Sequence, residues 1–312
     1  MSVRPTEKYQ PMFCRACRRL IEPDLHLLTR RRRSEAVSSL EDCIYRCDCG
    51  ISYSNALSED ERALITATPE ANVPRQVRAG LAEVLSQVAN HRGAESKRIK
   101  FCFETSEDAV TWTVFRGLEA QGHLDALPVP GDVDGEATLL LWGAPVSGER
   151  SIETAAALAT VCRLLGEAPG AFSEPDAIVL WPNLLVLVEA KYRSPNDCQS
   201  SHRGFSRYLD RSELFSVTPE EVSSAGYYEL TRNWRIGSGL AESLSVPAFL
   251  LVNLGPPDLI ESSAQAFSTL LAQSSERSFA WCSWNDILES AAPLPPWLDS
   301  YASERHRLLY WR

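Results

Sequence analysis

Asp176, Glu189 and Lys191 have types and spacing suited to holding a hard cation beside a charged amine. They lie in EPDAIVLWPNLLVLVEAKYR, residues 174–193, where two aliphatic runs, Ala177–Trp181 and Leu184–Val188, flank Pro182-Asn183. Apolar runs on either side of such a turn signal read as a β-hairpin. Folding it symmetrically sets Trp181 against Leu184 and, counting outward, Asp176 against Glu189. Directly opposed side chains lie about 4.5–5.5 Å apart at Cβ. Two carboxylates at that distance repel unless a proton or a cation sits between them. Lys191 is two residues beyond Glu189 and so shares its face. The second strand is aliphatic on both faces, which predicts burial inside a sheet. Two acids and a lysine at the end of an apolar hairpin thus predict a metal-dependent site. The plain alternative is a buried strand with a Glu–Lys pair at its edge.

A second group is built of cysteines. Of nine in the chain, five fall between Cys14 and Cys49, while Cys102, Cys162, Cys198 and Cys282 stand singly. Cys14 and Cys17 form a C-x2-C pair, and Cys47 and Cys49 a C-x-C pair about thirty residues later. Two pairs at this separation suit a tetrahedral zinc site of four thiolates, each pair held in a tight knuckle. Gly50 supplies the permissive backbone such a knuckle needs. Cys43, four residues before Cys47, is an alternative ligand. A module this small buries little apolar surface, so Zn2+ would supply most of its folding energy. Arg15, Arg18 and Arg19 lie by the first knuckle and Arg30, Arg31, Arg32 and Arg33 between the pairs. These arginines are candidates for phosphate contacts, against the plainer reading of a solvated charge run. The four isolated cysteines read as buried core thiols.

The elements that must position these groups follow from periodicity and punctuation. Ser58–Thr66 predicts a short helix with a Ser58/Glu61 capping box, and Pro74–Asn90 a second helix. His91–Lys100 is polar and basic and reads as a boundary. A helix capped by Ser106 runs from Glu107 to Gly122, with acids in its first turn. Ala137–Trp142 reads as a buried strand, Ser151–Leu165 as a helix packed on more than one side, and then comes the hairpin. Ser194–Thr218 is a polar loop or flap, Pro219–Leu244 a long helix, Pro247–Leu254 a buried strand ending at Gly255-Pro256. Phe279–Trp284 is a last strand, Asn285 to Leu288 starts a short helix, and the tail with Trp297 and Trp311 packs back.

Pro175-Asp176 followed by Glu189-Ala190-Lys191 resembles the P-D…(D/E)-x-K signature of the restriction-endonuclease-like nuclease superfamily. The likeness covers roughly Phe101 to Trp284, whose order of helix, strand, hairpin, helix and strand is that of the nuclease core. The fold expected is α/β, a restriction-endonuclease-like core with a mixed sheet flanked by helices, preceded by a small zinc ribbon. The expected division is a ribbon over 1–66, a helical connector over 67–100 and a nuclease-like domain over 101–312. The resemblance implies that Asp176 and Glu189 hold Mg2+ (or Mn2+), with the backbone carbonyl of Ala190 as a further ligand. It also implies an acid from the helix before the first core strand, for which Glu107 is the first candidate and Glu104 the second. Tyr228, Glu229 and Arg232 are candidates to face substrate, although the Q-x-x-x-Y pattern of one branch is missing.

The implied activity is metal-dependent endonucleolytic hydrolysis of DNA, with RNA left open and the ribbon gripping nucleic acid or a partner. The alternative is a catalytically silent nucleic-acid- or protein-binding regulator on the same fold. A homodimer or a protein partner is also compatible. A net charge of −10 argues against a uniformly basic coat, so any nucleic-acid contact must be local. No H-E-x-x-H, G-x-S-x-G, Walker loop or G-x-G-x-x-G occurs. The absence of a long apolar run or an apolar leader predicts a cytoplasmic protein without a membrane partner.

Overall fold

The structure is a computed structural model and describes residues 9–27, 40–56, 58–59, 61–88, 94–198 and 204–305. The chain divides into two compact units, one of Met1–Ala79 with Gly93–Ala109 and one of Gly80–Arg92 with Val110–Arg312.

The first unit is built on short antiparallel strands. β1 (Met12–Phe13) pairs with β2 (Leu20–Ile21), while β3 (Tyr45–Arg46), β4 (Ser52–Tyr53) and β5 (Leu64–Ile65) form a three-stranded sheet in that order. Met12, Ile21, Ile44, Tyr45 and Tyr53 make a small buried core around Cys14. The expected helix over Ser58–Thr66 is replaced by a turn and β5. What forms at Ser58 is a backbone turn, Glu61 N–H to the Ser58 carbonyl at 3.2 Å. The chain is then captured by β4: Ser54 N–H donates to the Ala63 carbonyl at 2.9 Å, Ala63 N–H donates to Ser54 Oγ at 2.9 Å, and Ile65 is fully buried. The expected boundary segment does contain a junction between the units, between Arg92 and Gly93, and also the helix α2 (Ala94–Phe101); α1 (Leu81–Val88), before it, belongs to the second unit. Asn72 Nδ2 donates to the Phe101 and Phe103 carbonyls, both at 2.7 Å, satisfying the end of α2. α1 starts later than its apolar pattern predicts because Gly80 turns left-handed, at φ +82°.

The second unit centres on a six-stranded mixed sheet. Its strands are β6 (Thr138–Leu141), β7 (Ala144–Ser147), β8 (Ala177–Leu180), β9 (Leu184–Ala190), β10 (Ala248–Leu254) and β11 (Arg277–Cys282). They lie in the order β11-β10-β9-β8-β6-β7; β9, β10 and β11 run parallel and the other neighbours antiparallel. β9 is buried along its whole length, as its two-faced aliphatic pattern requires. α3 (Glu107–Gln121) is capped by Ser106, whose Oγ accepts from the Ala109 N–H at 3.2 Å. α4 (Ser151–Leu164) forms as its pattern predicts, whereas the single long helix expected over Pro219–Leu244 is split into α5 (Pro219–Ala225) and α6 (Tyr228–Ser243). The break between α5 and α6 falls at Gly226, φ +81°, which ends a helix started by the Thr218/Glu221 capping box.

One sheet face, carrying Ile178, Leu180, Leu185, Leu187, Phe249 and Leu251, packs against Leu158, Val161, Trp234 and Leu240 of α4 and α6. Gly237 makes that approach possible, for a Cβ there would collide with the Phe249 ring. α7 (Pro257–Ser268) and β7 were not foreseen from sequence, the first because Gly255-Pro256 reads as a stop. α8 (Trp284–Ser290) and α9 (Pro296–Glu304) follow β11, and α9 packs through Trp297 and Leu298 onto Gly117 of α3. Trp311 lies outside the described residues. Among the described residues no helix is long and apolar enough to cross a membrane.

Candidate metal centre and active site

The turn between β1 and β2 carries Cys14 and Cys17, and the turn between β3 and β4 carries Cys47 and Cys49. The first knuckle closes by Arg18 N–H to the Cys14 carbonyl (2.9 Å) and Cys14 N–H to the Arg19 carbonyl (2.8 Å). Cys47 N–H reaches the Ile51 carbonyl at 2.8 Å and Gly50 N–H the Cys47 carbonyl at 3.0 Å in the second. Gly50 takes φ +88°, the left-handed backbone expected of it. The four Sγ atoms all lie within 4.8 Å of one another. Cys14 and Cys49 are 3.7 Å apart and Cys17 and Cys47 3.4 Å apart. A tetrahedron of Zn–S bonds of about 2.3 Å has edges of about 3.8 Å, so the thiols fit a structural zinc. The alternative ligand drops out: Cys43 is fully buried beside Ile65 and Cys102, where burial pushes its thiol up to about 11. Cys102, Cys162 and Cys282 are likewise buried, whereas Cys198 departs from expectation and is exposed.

The second cluster lies at the end of β8 and β9. Paired residues run from Leu180↔Leu185 to Ala177↔Val188, so one step outward Asp176 stands opposite Glu189, the predicted register. Asp176 Oδ2 accepts the Ala190 N–H at 2.7 Å. Glu189 and Lys191 continue the face of Leu185 and Leu187, toward α6. Lys191 Nζ donates to Glu189 Oε1 at 2.7 Å and to Glu229 Oε2, in the first turn of α6, at 2.8 Å. Asn233, one helical turn on, donates through Nδ2 to Glu189 Oε2 at 2.7 Å. Arg232 Nη2 lies 3.8 Å from the same oxygen, with its guanidinium 5.8 Å from the Tyr228 ring centre. Side-chain exposures of 7% for Lys191 and 5% for Glu189 make this a buried ion pair, not an edge decoration.

The charges hold one another. Burial opposes ionisation of Glu229, yet Lys191 above all, with Arg232, keeps it below the usual carboxylate range. Burial likewise opposes the Arg232 charge, and Glu189 and Glu229 raise its pKa regardless. Asn253, opposite Glu189 on β10, donates to the Glu189 carbonyl at 3.1 Å and is itself gripped by Asn196 at 2.7 Å. Asn233, Asn196 and Asn253 escaped the sequence reading. The one signal was a lone amide near the end of the apolar run PAFLLVNL.

The remaining candidates are placed as follows. Glu107 stands in the first turn of α3, within the first unit. Glu104, of the same unit, accepts from Leu64 N–H at 2.8 Å and pairs with Arg15 at 2.7 Å. Arg15 is thus engaged inside the ribbon, also donating to the Arg62 carbonyl at 3.0 Å, while Arg18 and Arg19 are exposed. Arg30 to Arg33 lie outside the described residues. Among the described residues, the four cysteines are the group that brings three or more metal-ligating side chains together. Asp176 and Glu189 offer carboxylate oxygens, the donor type that hard divalent cations such as Mg2+ take. Comparison of the chain with protein-family models, curated proteins and solved structures found no match.

Proposed function

We propose that this chain is a Mg2+-dependent nuclease that hydrolyses DNA phosphodiester bonds, with the four-cysteine ribbon contacting nucleic acid or a partner. The observation that carries this reading is the register placing Asp176 opposite Glu189, with Lys191 Nζ 2.7 Å from the Glu189 carboxylate. Asp176 and Glu189 are the side chains that would hold Mg2+, with Ala190 offering its carbonyl. Bound there, the ion would supply Lewis acidity and a water of lowered pKa.

The chain's own residues supply position and charge. Lys191 is a buried donor rooted at the strand end, suited to charge building on a scissile phosphate. Arg232 adds a second cation, and Asn233 fixes the orientation of the Glu189 carboxylate. Asp176, Glu189 and Glu229 against Lys191 and Arg232 leave one negative charge when all are ionised. A divalent ion turns that balance to one positive charge, which matches a phosphodiester. The ion should therefore bind before the nucleic acid. Arg18 and Arg19, exposed by the first knuckle, are ribbon arginines suited to phosphate contacts.

Circular plasmid incubated with Mg2+, with Mn2+ and with EDTA, beside Lys191→Ala, tests the proposal. Divalent-dependent nicking or linearisation lost in the variant is the expected result. Plasmid bound but never cut under any ion would overturn it in favour of a catalytically silent binding protein.

A further inference from the structure

We propose that Glu229 positions Lys191, taking over its ammonium when an ion occupies Glu189; this rests on the metal-dependent reading of the same site. The root of Lys191 is immobile. Its N–H donates to the Leu254 carbonyl at 2.7 Å, and its own carbonyl accepts from Trp284 Nε1 at 2.9 Å. Gly255 packs so closely that a Cβ there would lie 3.0 Å from Lys191 Cβ. Only the four-carbon stem can swing, and its head is shared between two carboxylates at 2.7 and 2.8 Å.

The two acceptors are not equivalent. Glu189 already serves Asn233 and lies near Arg232, and it is the residue that would carry the ion. An ion there repels the ammonium and draws on the same oxygens, so the bond to Glu189 weakens. Glu229 comes from a different element, and its site is braced. Its neighbour Tyr228 meets Phe205 and Tyr208 edge-on, with ring centres 5.5 and 5.8 Å apart. An acid on α6 therefore keeps Lys191 aimed along the strand end after Glu189 is engaged. Without it the ammonium loses the acceptor that holds it along the strand end once Glu189 is engaged. Glu229 acts through Lys191 and is a positioning residue.

The experiment follows the side-chain ammonium of 15N-lysine-labelled full-length protein by NMR, with the Lys191 signal assigned by its loss in Lys191→Ala. Calcium is the probe ion. In the wild type, calcium should shift the protected Lys191 signal and leave it observable; in Glu229→Gln, calcium should abolish it. A Glu229→Gln signal that persists in calcium like the wild type overturns the proposal. A wild-type signal that calcium does not move shows instead that no ion reaches Glu189, which removes the metal-site reading and the hand-over with it. In cleavage assays Glu229→Ala should lose about 100-fold in kcat, the scale of a misplaced catalytic group, with Glu229→Gln between it and the wild type. The Mg2+ concentration for half-maximal rate should stay unchanged. A raised Mg2+ requirement would make Glu229 a ligand and refute the positioning role, as would an unaltered kcat.

Discussion

Removing the Lys191 ammonium tests whether the strand-end cluster is a buried charge network. Lys191→Ala leaves Glu189, whose side chain is 5% exposed, without its closest cation. Breaking a buried ion pair by deleting one partner costs about 3–5 kcal/mol, because the other charge stays buried. Glu189 keeps the Asn233 bond at 2.7 Å and Arg232 at 3.8 Å, which places the expected loss near the lower limit, about 3 kcal/mol. For a unit of this size each kcal/mol shifts Tm by about 2–4 °C, so the second unit should melt roughly 6–12 °C lower. Differential scanning calorimetry in metal-free buffer measures this, following the transition of the second unit. The double variant Glu189→Gln/Lys191→Met removes both charges at similar volume but still takes Lys191 from Glu229, so it should recover only part of the loss. A Lys191→Ala melt indistinguishable from wild type, or a double variant as unstable as the single one, would refute the picture of mutually compensating buried charges.

Three further outcomes are expected. Cys14→Ser or Cys49→Ser should lose one equivalent of zinc by native mass spectrometry and unfold the ribbon, since structural zinc supplies on the order of 10–16 kcal/mol. Cys43→Ser should keep its zinc; the reverse pattern would show the ligand set to be wrong. Gly237→Ala should destabilise the second unit by about 1–3 kcal/mol in urea titrations, because the new methyl meets the Phe249 ring; a neutral substitution would mean that α6 is not seated on β10 as described. Glu229 is held below its ordinary value of 4.5, so its contribution is complete above that value and lost as pH falls through the lower, folded value. Urea midpoints measured from roughly pH 5 downward should therefore fall more steeply for the wild type than for Glu229→Gln. Parallel curves would count against the Lys191–Glu229 pairing.

Much of the molecule was legible because its signals are local. The hairpin register follows from a turn dipeptide between two aliphatic runs, and the pairing runs as counted out to Ala177 and Val188, one step short of Asp176 and Glu189. The cysteine spacing delimited a metal centre, with Cys43 as the one ambiguity. Strands β6, β9 and β10 announced themselves as unbroken apolar runs, and Ser106 as a helix cap. Local signals misled where a distant strand competed for the same backbone. Ser58 and Glu61 close a backbone turn, but β4 holds the following residues in a sheet instead of a helix.

What sequence by itself determined, then, is which residues share a strand face, which stretch is buried and which cysteines pair, because periods of two residues and tight knuckles are short-range geometry. Only the tertiary structure decided what meets those residues. Glu229 and Asn233 come to the Lys191–Glu189 pair from 38 and 44 positions away, and Asn253 from 64. No periodicity encodes such approaches. They depend on where α6 and β10 settle against β9, set by packing such as Gly237 beneath Phe249, and a buried charge then selects its partners from whatever that packing brings within reach.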